Sequence, residues 1–107
     1  MTLFTATVLS NQEIMPATHV LALECGNAAR HAQPGQFIHI RCSESSAPLL
    51  RRPMSIYRAL GNIIELMVRD VGEGSGWLTR AKPGQQLDCL GPQGHGFRLD
   101  SDRKSVV

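Results

Sequence analysis

Six short stretches of alternating apolar and polar residues, separated by proline and glycine turns, leave this chain little choice but a small antiparallel sheet closed on itself. The punctuation is clearest where it repeats. Pro34-Gly35-Gln36 and Pro83-Gly84-Gln85 each deliver the backbone into an alternating run. Proline presets one turn torsion and glycine accepts a positive one. No wider repeat accompanies the tripeptide, which therefore reads as reused turn chemistry rather than a duplicated unit.

In the run Thr18 to Cys25, residues Leu21, Leu23 and Cys25 fall on one face and Val20, Ala22 and Glu24 on the other. Gln36 to Cys42 behaves likewise, with Ile38, Ile40 and Cys42 toward a core and His39 and Arg41 away from it. Gly61-Asn62 supplies a hairpin turn joining a short strand, Met54 to Arg58, to Ile63 to Arg69, where Ile64, Leu66 and Val68 share a face. Leu3 to Ser10 suits a first strand, broken by Asn11-Gln12, and Gln86 to Leu90 a sixth. Gly26 to Gln33, Ser43 to Pro48 and Gly91 to Phe97 read as loops. Only between Ser75 and Ala81 does the period change: Trp77 and Leu78, followed by Thr79-Arg80-Ala81-Lys82, predict two turns of helix starting at Gly74-Ser75 and stopped by Pro83-Gly84. The expected fold is all-β: a six-stranded antiparallel Greek-key barrel with one short helix between strands 5 and 6. Strand count and helix placement favour it over an SH3-like or OB-type barrel.

Composition narrows the partners. A chain of 107 residues supports one core, and 42% hydrophobic with 19% charged residues fits a globular protein rather than a disordered one. A formal charge of +2 is too small to make nucleic acid the main partner. No apolar run approaches the ~18 residues of a membrane span, and Met1-Thr2-Leu3-Phe4-Thr5 is no signal peptide, so neither membrane nor export is expected and the cytoplasm is the expected compartment. Cys25, Cys42 and Cys89 are odd in number and widely spaced, which indicates buried thiols rather than disulfides or a metal site. His19, His31, His39 and His95 show no ligand spacing, and no nucleophile arrangement is present.

Two stretches could meet an anion. Arg51 and Arg52 precede Pro53 at the entry to a strand, and a guanidinium fork suits phosphate oxygens. Gly72-Glu73-Gly74-Ser75-Gly76 lies at the predicted helix start, where backbone N–H groups favour negative charge. An isolated arginine pair is most often a solvated surface feature, but two anion-favouring elements in one small barrel suggest a shared ligand. The glycine pattern lacks both P-loop and Rossmann spacing.

The run Pro48-Leu49-Leu50-Arg51-Arg52-Pro53-Met54-Ser55-Ile56-Tyr57 resembles the flavin-binding signature of the ferredoxin–NADP⁺ reductase superfamily. More narrowly, it resembles the electron-transfer subunits of the two-subunit, NAD-dependent dihydroorotate dehydrogenases. Pro34-Gly35-Gln36-Phe37, Gly72-Glu73-Gly74-Ser75 and Leu90-Gly91-Pro92-Gln93-Gly94-His95-Gly96-Phe97 follow in the family's order, so the resemblance spans essentially the whole chain. It implies FAD as cofactor. Arg52 would bind the pyrophosphate, Met54 would lie along the isoalloxazine, and Ser55 would hydrogen-bond near flavin N5, with Pro53 between them also in the cofactor site. The backbone of Val68, Arg69 and Asp70 would line the ring, and Gly74 and Ser75 would offer N–H donors to phosphate. Ser75 keeps the hydroxyl of the family's usual threonine. An aliphatic residue at Met54, where the wider superfamily often has tyrosine, is typical of the narrower group.

The resemblance further implies a dihydroorotate dehydrogenase catalytic subunit as partner in a hetero-oligomer acting in pyrimidine biosynthesis. Residues 1–99 would be the FAD-binding barrel. Residues 100–107, a charged connector ending in Ser105-Val106-Val107, would begin a nucleotide-binding domain whose remainder is absent. NAD and a 2Fe-2S cluster would belong to that absent C-terminal part, leaving this chain incomplete as an enzyme. Two other readings stand beside this one: a flavin reductase component of a hydrogenase, ferredoxin or oxygenase system, and a barrel module that has lost its cofactor.

Overall fold

Alternation becomes a barrel wall in the computed structural model, which describes residues 2–42 and 51–94. Strands β1 (Thr2–Met15), β2 (Thr18–Glu24), β3 (Phe37–Arg41), β4 (Arg51–Leu60), β5 (Ile63–Arg69) and β6 (Gln86–Gln93) close in the order β1-β2-β5-β4-β3-β6. Every neighbouring pair is antiparallel. Helix α1 (Glu73–Thr79) lies between β5 and β6, as the change of period predicts, and a 3-10 turn, Gly26–Ala29, follows β2. No helix among the described residues is long and apolar enough to cross a membrane.

The inward faces are those the alternation marks. Leu21, Leu23, Ile38, Ile40, Ile56, Ile64, Leu66 and Leu87 are at most 1% exposed, and Leu78 of α1 joins the same cluster. Each such side chain contributes roughly 1.5–3 kcal/mol by leaving water. The two Pro-Gly-Gln turns are one device used twice. Gly35 and Gly84 adopt φ of 91° and 92°. In each turn the glutamine N–H donates to the carbonyl three residues back, Gln33 at 3.1 Å and Lys82 at 3.0 Å. Its side-chain Oε1 accepts the N–H of that same residue, at 2.9 Å and 3.2 Å.

Three strands run further than the sequence pattern suggests. β1 continues through Asn11-Gln12 to Met15, because irregularities at Val8/Ser10 and Glu13/Met15 let it bend while staying paired with β2. The chain reverses instead at Pro16-Ala17, where Ala17 takes φ of 61°. β4 begins at Arg51 rather than Met54, held by β3, and β6 continues through Gly91-Pro92 to Gln93. Helix α1 starts two residues earlier than Ser75 and ends at Thr79. The Ser43 to Pro48 loop, Leu49-Leu50, the His95 to Phe97 end of the glycine-spaced loop and the boundary near residue 100 lie outside the described residues.

Cys25, Cys42 and Cys89 are all buried, as free thiols. Burial, helped by the Glu24 charge, pushes Cys25 up to about 12, and burial, with Cys25 and Asp88 nearby, does the same to Cys89. Both thiols are therefore held neutral in the folded state while the unfolded chain ionises near 9.0. Their contribution to stability is complete below pH 9.0 and is lost progressively as pH rises toward about 12. The unfolding free energy from urea titrations should fall above pH 9, by up to ~1.4 kcal/mol per pH unit for each thiol, and a Cys25→Ala/Cys89→Ala double variant should show a shallower slope. Identical slopes in the two proteins would contradict this assignment.

Candidate functional site

The barrel wall opens along one seam. The β4–β5 ladder runs from Leu60↔Ile63 only as far as Ile56↔Leu66. Beyond that point β4 turns to β3, through Phe37↔Ser55, Ile38↔Met54, His39↔Pro53, Ile40↔Arg52 and Arg41↔Arg51. β5 stays with β2, through Val20↔Met67, His19↔Val68 and Thr18↔Arg69. Among the described residues, 51–55 and 67–69 thus each have one ladder neighbour, and between them lie two backbone edges that no ladder of those residues uses. Pro53, which has no N–H to offer a second strand, falls in this half of β4.

The seam separates two arginines that the sequence presents as a pair. Arg51 is committed to β6: its Nη1 donates to the Asp88 carbonyl at 3.0 Å and its Nη2 to Asp88 Oδ1 at 2.9 Å. Arg52 is exposed, and among the described residues it forms no ion pair. It sits opposite Ile40, near enough to Cys42 that its charge opposes the larger upward push burial gives that thiol. Of the two, Arg52 is the guanidinium available to an anion.

Alternation sends neighbouring site residues to different faces. Met54 is half-buried against the core, while Pro53 and Ser55 are exposed on the other face. Val68 is 1% exposed, so only its backbone could meet a ligand, whereas Arg69 and Asp70 reach solvent. The Asp70 N–H is already spent on the Ala17 carbonyl at 2.8 Å, which pins the end of β5 to the β1–β2 turn.

Ser75 also differs from a free phosphate ligand. Its hydroxyl accepts the Val71 N–H at 2.9 Å and lies 3.4 Å from the Gly72 carbonyl, so it ties the loop before α1 to the helix. What the first turn, including Gly74 and Ser75, can present is its backbone N–H groups, which have no intrahelical acceptor. Gly76 in the next turn admits the Asp70 carboxylate, whose Oδ1 would lie 3.0 Å from a Cβ at that position.

The other end of α1 is closed. Thr79 Oγ1 donates to the Gly76 carbonyl at 2.9 Å, and the Arg80 and Ala81 N–H groups donate to Trp77 and Leu78 at 3.2 and 3.1 Å. Asn11 Nδ2, from β1, donates to the Thr79 and Ala81 carbonyls at 2.9 and 2.7 Å. Sequence reasoning missed Asn11, reading it as the end of a strand. The available signal was a lone amide at an inward register position, since Asn11 pairs with Leu21.

No protein-family model matches the chain. Among curated proteins it is 42% identical over 99 residues to the dihydroorotate dehydrogenase B (NAD(+)) electron transfer subunit of Desulforamulus reducens, covering 90% of this chain and 37% of that protein. It is 42% identical over 98 residues to the protein of the same description from Geobacillus thermodenitrificans, covering 89% and 38%. The chain thus spans a little over a third of the length of the curated relatives it matches. Among solved structures, a ferredoxin reductase in carbazole 1,9a-dioxygenase superposes with a TM-score of 0.76 at 24% identity, covering 94% of this chain and 31% of that one. The siderophore-interacting protein from Acinetobacter baumannii gives 0.76 at 17% identity, covering 96% and 45%. These two likenesses establish the barrel fold.

Proposed function

We propose, from homology to the electron-transfer subunits of dihydroorotate dehydrogenase B over about nine-tenths of its length, that this chain is the FAD-binding barrel of such a subunit. Its task would be to pass electrons between a dihydroorotate-oxidising partner subunit and NAD. The observation that carries the reading is the open seam between residues 51–55 and 67–69, with an uncommitted arginine at one end. A planar heterocycle with a polar edge and a pyrophosphate tail fits a slot of two free backbone edges and a cation. The 42% identity to dihydroorotate dehydrogenase subunits, against 24% to the ferredoxin reductase, favours this reading over a reductase serving another system.

FAD, when bound, supplies the electron chemistry. The chain's own residues bind and orient it. Arg52 would hold the pyrophosphate by charge-assisted hydrogen bonds, joined by backbone N–H groups of Gly74 and Ser75 in the first turn of α1. Backbone groups of Val68 and Arg69 would meet the polar edge of the ring. Pro53 and Met54 would give it apolar surface, and the Ser55 hydroxyl a hydrogen bond. Asp70 contributes through its carbonyl or carboxylate, since its N–H is held by Ala17.

Titration of the purified chain with FAD, followed by flavin fluorescence, is expected to saturate at one equivalent. Riboflavin, which lacks the pyrophosphate, should bind more weakly. Folded protein that leaves the fluorescence of both flavins unchanged would refute the cofactor assignment. Copurification with a dihydroorotate-oxidising flavoprotein tests the partner separately.

A further inference from the structure

The connection from β5 through α1 to β6 carries one end of the proposed site, and β1 with the turn that follows it grips it at three places. The Ala17 carbonyl takes the Asp70 N–H at 2.8 Å, and Val8 exchanges hydrogen bonds with Gly84 and Gln85 at 2.7 and 2.9 Å. Between them, Asn11 holds the Thr79 and Ala81 carbonyls through its side chain. Those two acceptors fix which way the amide points, because an amide oxygen could not face two carbonyl oxygens. Asn11 Oδ1 is thereby turned to His19 Nδ1, 2.6 Å away, and His19 Nδ1 must carry a hydrogen. His19 in turn sits on β2 opposite Val68 of β5.

We infer that Asn11 is a positioning residue for cofactor binding. Held by His19, it sets the placement of α1 against the strand that lines the ring, and so the spacing between the two ends of the dinucleotide site. The inference rests on the flavin reading above, but the clamp itself is made by the chain's own residues. Asn11 is not itself placed among the ligand-binding residues; it acts on carbonyls at and just beyond the C-terminus of a helix whose first turn would face the phosphate.

Two measurements decide it, on Asn11→Ala and on Asn11→Asp, which keeps the shape and the acceptor toward His19 but loses both donors. Amide hydrogen exchange without flavin should accelerate at Gly76, Arg80 and Ala81 by about tenfold, the loss of two ordinary hydrogen bonds, while amides of β3, β4 and β6 keep their rates. In flavin titrations FAD should weaken by about tenfold and riboflavin by less than about twofold, since only FAD reaches α1. His19→Asn, which restores a donor at the same branch of the side chain, should bind FAD like the wild type where His19→Ala does not. This pair serves if the Asn11 variants fail to fold. Unchanged exchange in α1, or equal weakening of FAD and riboflavin, would overturn the inference. A wild-type chain that binds no flavin would instead refute the proposed function, and the exchange result alone would then decide the clamp.

Discussion

Arg52→Glu should remove most of this chain's affinity for FAD, while Arg51→Ala, one residue earlier, should leave it intact. The contrast follows from what each guanidinium already does. Arg51 is satisfied by Asp88 across the β3 strand, in a pair whose side chains are 25% and 48% exposed. Exposure on that scale limits its contribution to roughly 0–1 kcal/mol of stability, and breaking it frees no site. Arg52 carries an uncommitted charge beside the open seam, and a charged hydrogen bond to the pyrophosphate is worth about 1.5–3 kcal/mol. The dissociation constant should therefore rise roughly tenfold to a hundredfold in Arg52→Glu, with the thermal midpoint of the apo protein little changed. Equal FAD affinity in the wild type and Arg52→Glu would mean that the cation is not part of the site.

The largest expected effect on stability lies at Gly91. Its φ is 145°, and a Cβ there would sit 3.0 Å from the Phe37 carbonyl oxygen and 3.4 Å from the Ile38 Cα. Both are backbone atoms of the paired strand β3, so neither can swing aside. Strain at the torsion and overpacking against β3 together put Gly91→Ala at about 2–4 kcal/mol. For a domain of this size that lowers the thermal midpoint by roughly 10 °C or more. Gly76→Ala is the informative comparison. Its Cβ would also meet an atom at 3.0 Å, but that atom is Asp70 Oδ1, and the next nearest is Arg80 Nη1 at 3.4 Å. Both are ends of flexible side chains, and the cost should stay below about 1 kcal/mol, offset by the better helix propensity of alanine. Similar melting curves for Gly91→Ala and the wild type would show that β3 and β6 do not approach as closely as described.

Which faces point inward was legible because strand geometry leaves one answer: Ile64, Leu66 and Val68, or Leu21, Leu23 and Cys25, can share a side only as strands. The strand ends were less legible, and for definite reasons. Asn11 looks like a break because its partners, the Thr79 and Ala81 carbonyls, lie 68 and 70 residues away. Arg51 and Arg52 look like the entry to a strand that starts at Met54, because two charges and a proline seldom begin one, yet β3 pairs with both. Gly91-Pro92 looks like a turn, but the backbone path it takes keeps β6 beside β1 and β3. The candidate site was legible only as a set of residue types, in Arg51, Arg52, Gly74 and Ser75. The parting of β4 from β5 was not, since no local pattern records where two strands stop pairing. Nor could the sequence divide the labour of the arginines, because Asp88 lies 37 positions from Arg51.

The last described strand, β6, lies between β1 and β3, pairing Thr2 with Gly91 on one side and Ile40 with Cys89 on the other. During synthesis, therefore, the growing polypeptide can form the β1–β2–β5–β4–β3 sheet while its two outer edges stay open. The sheet becomes a barrel only when residues 86–93 have cleared the ribosome. Until then both edges are templates for pairing with another chain, and closure depends on contacts spanning nearly the whole sequence, which places folding in the slow, millisecond-to-second range of barrel topologies. The nascent barrel is thus most vulnerable to misassembly in the interval just before β6 emerges.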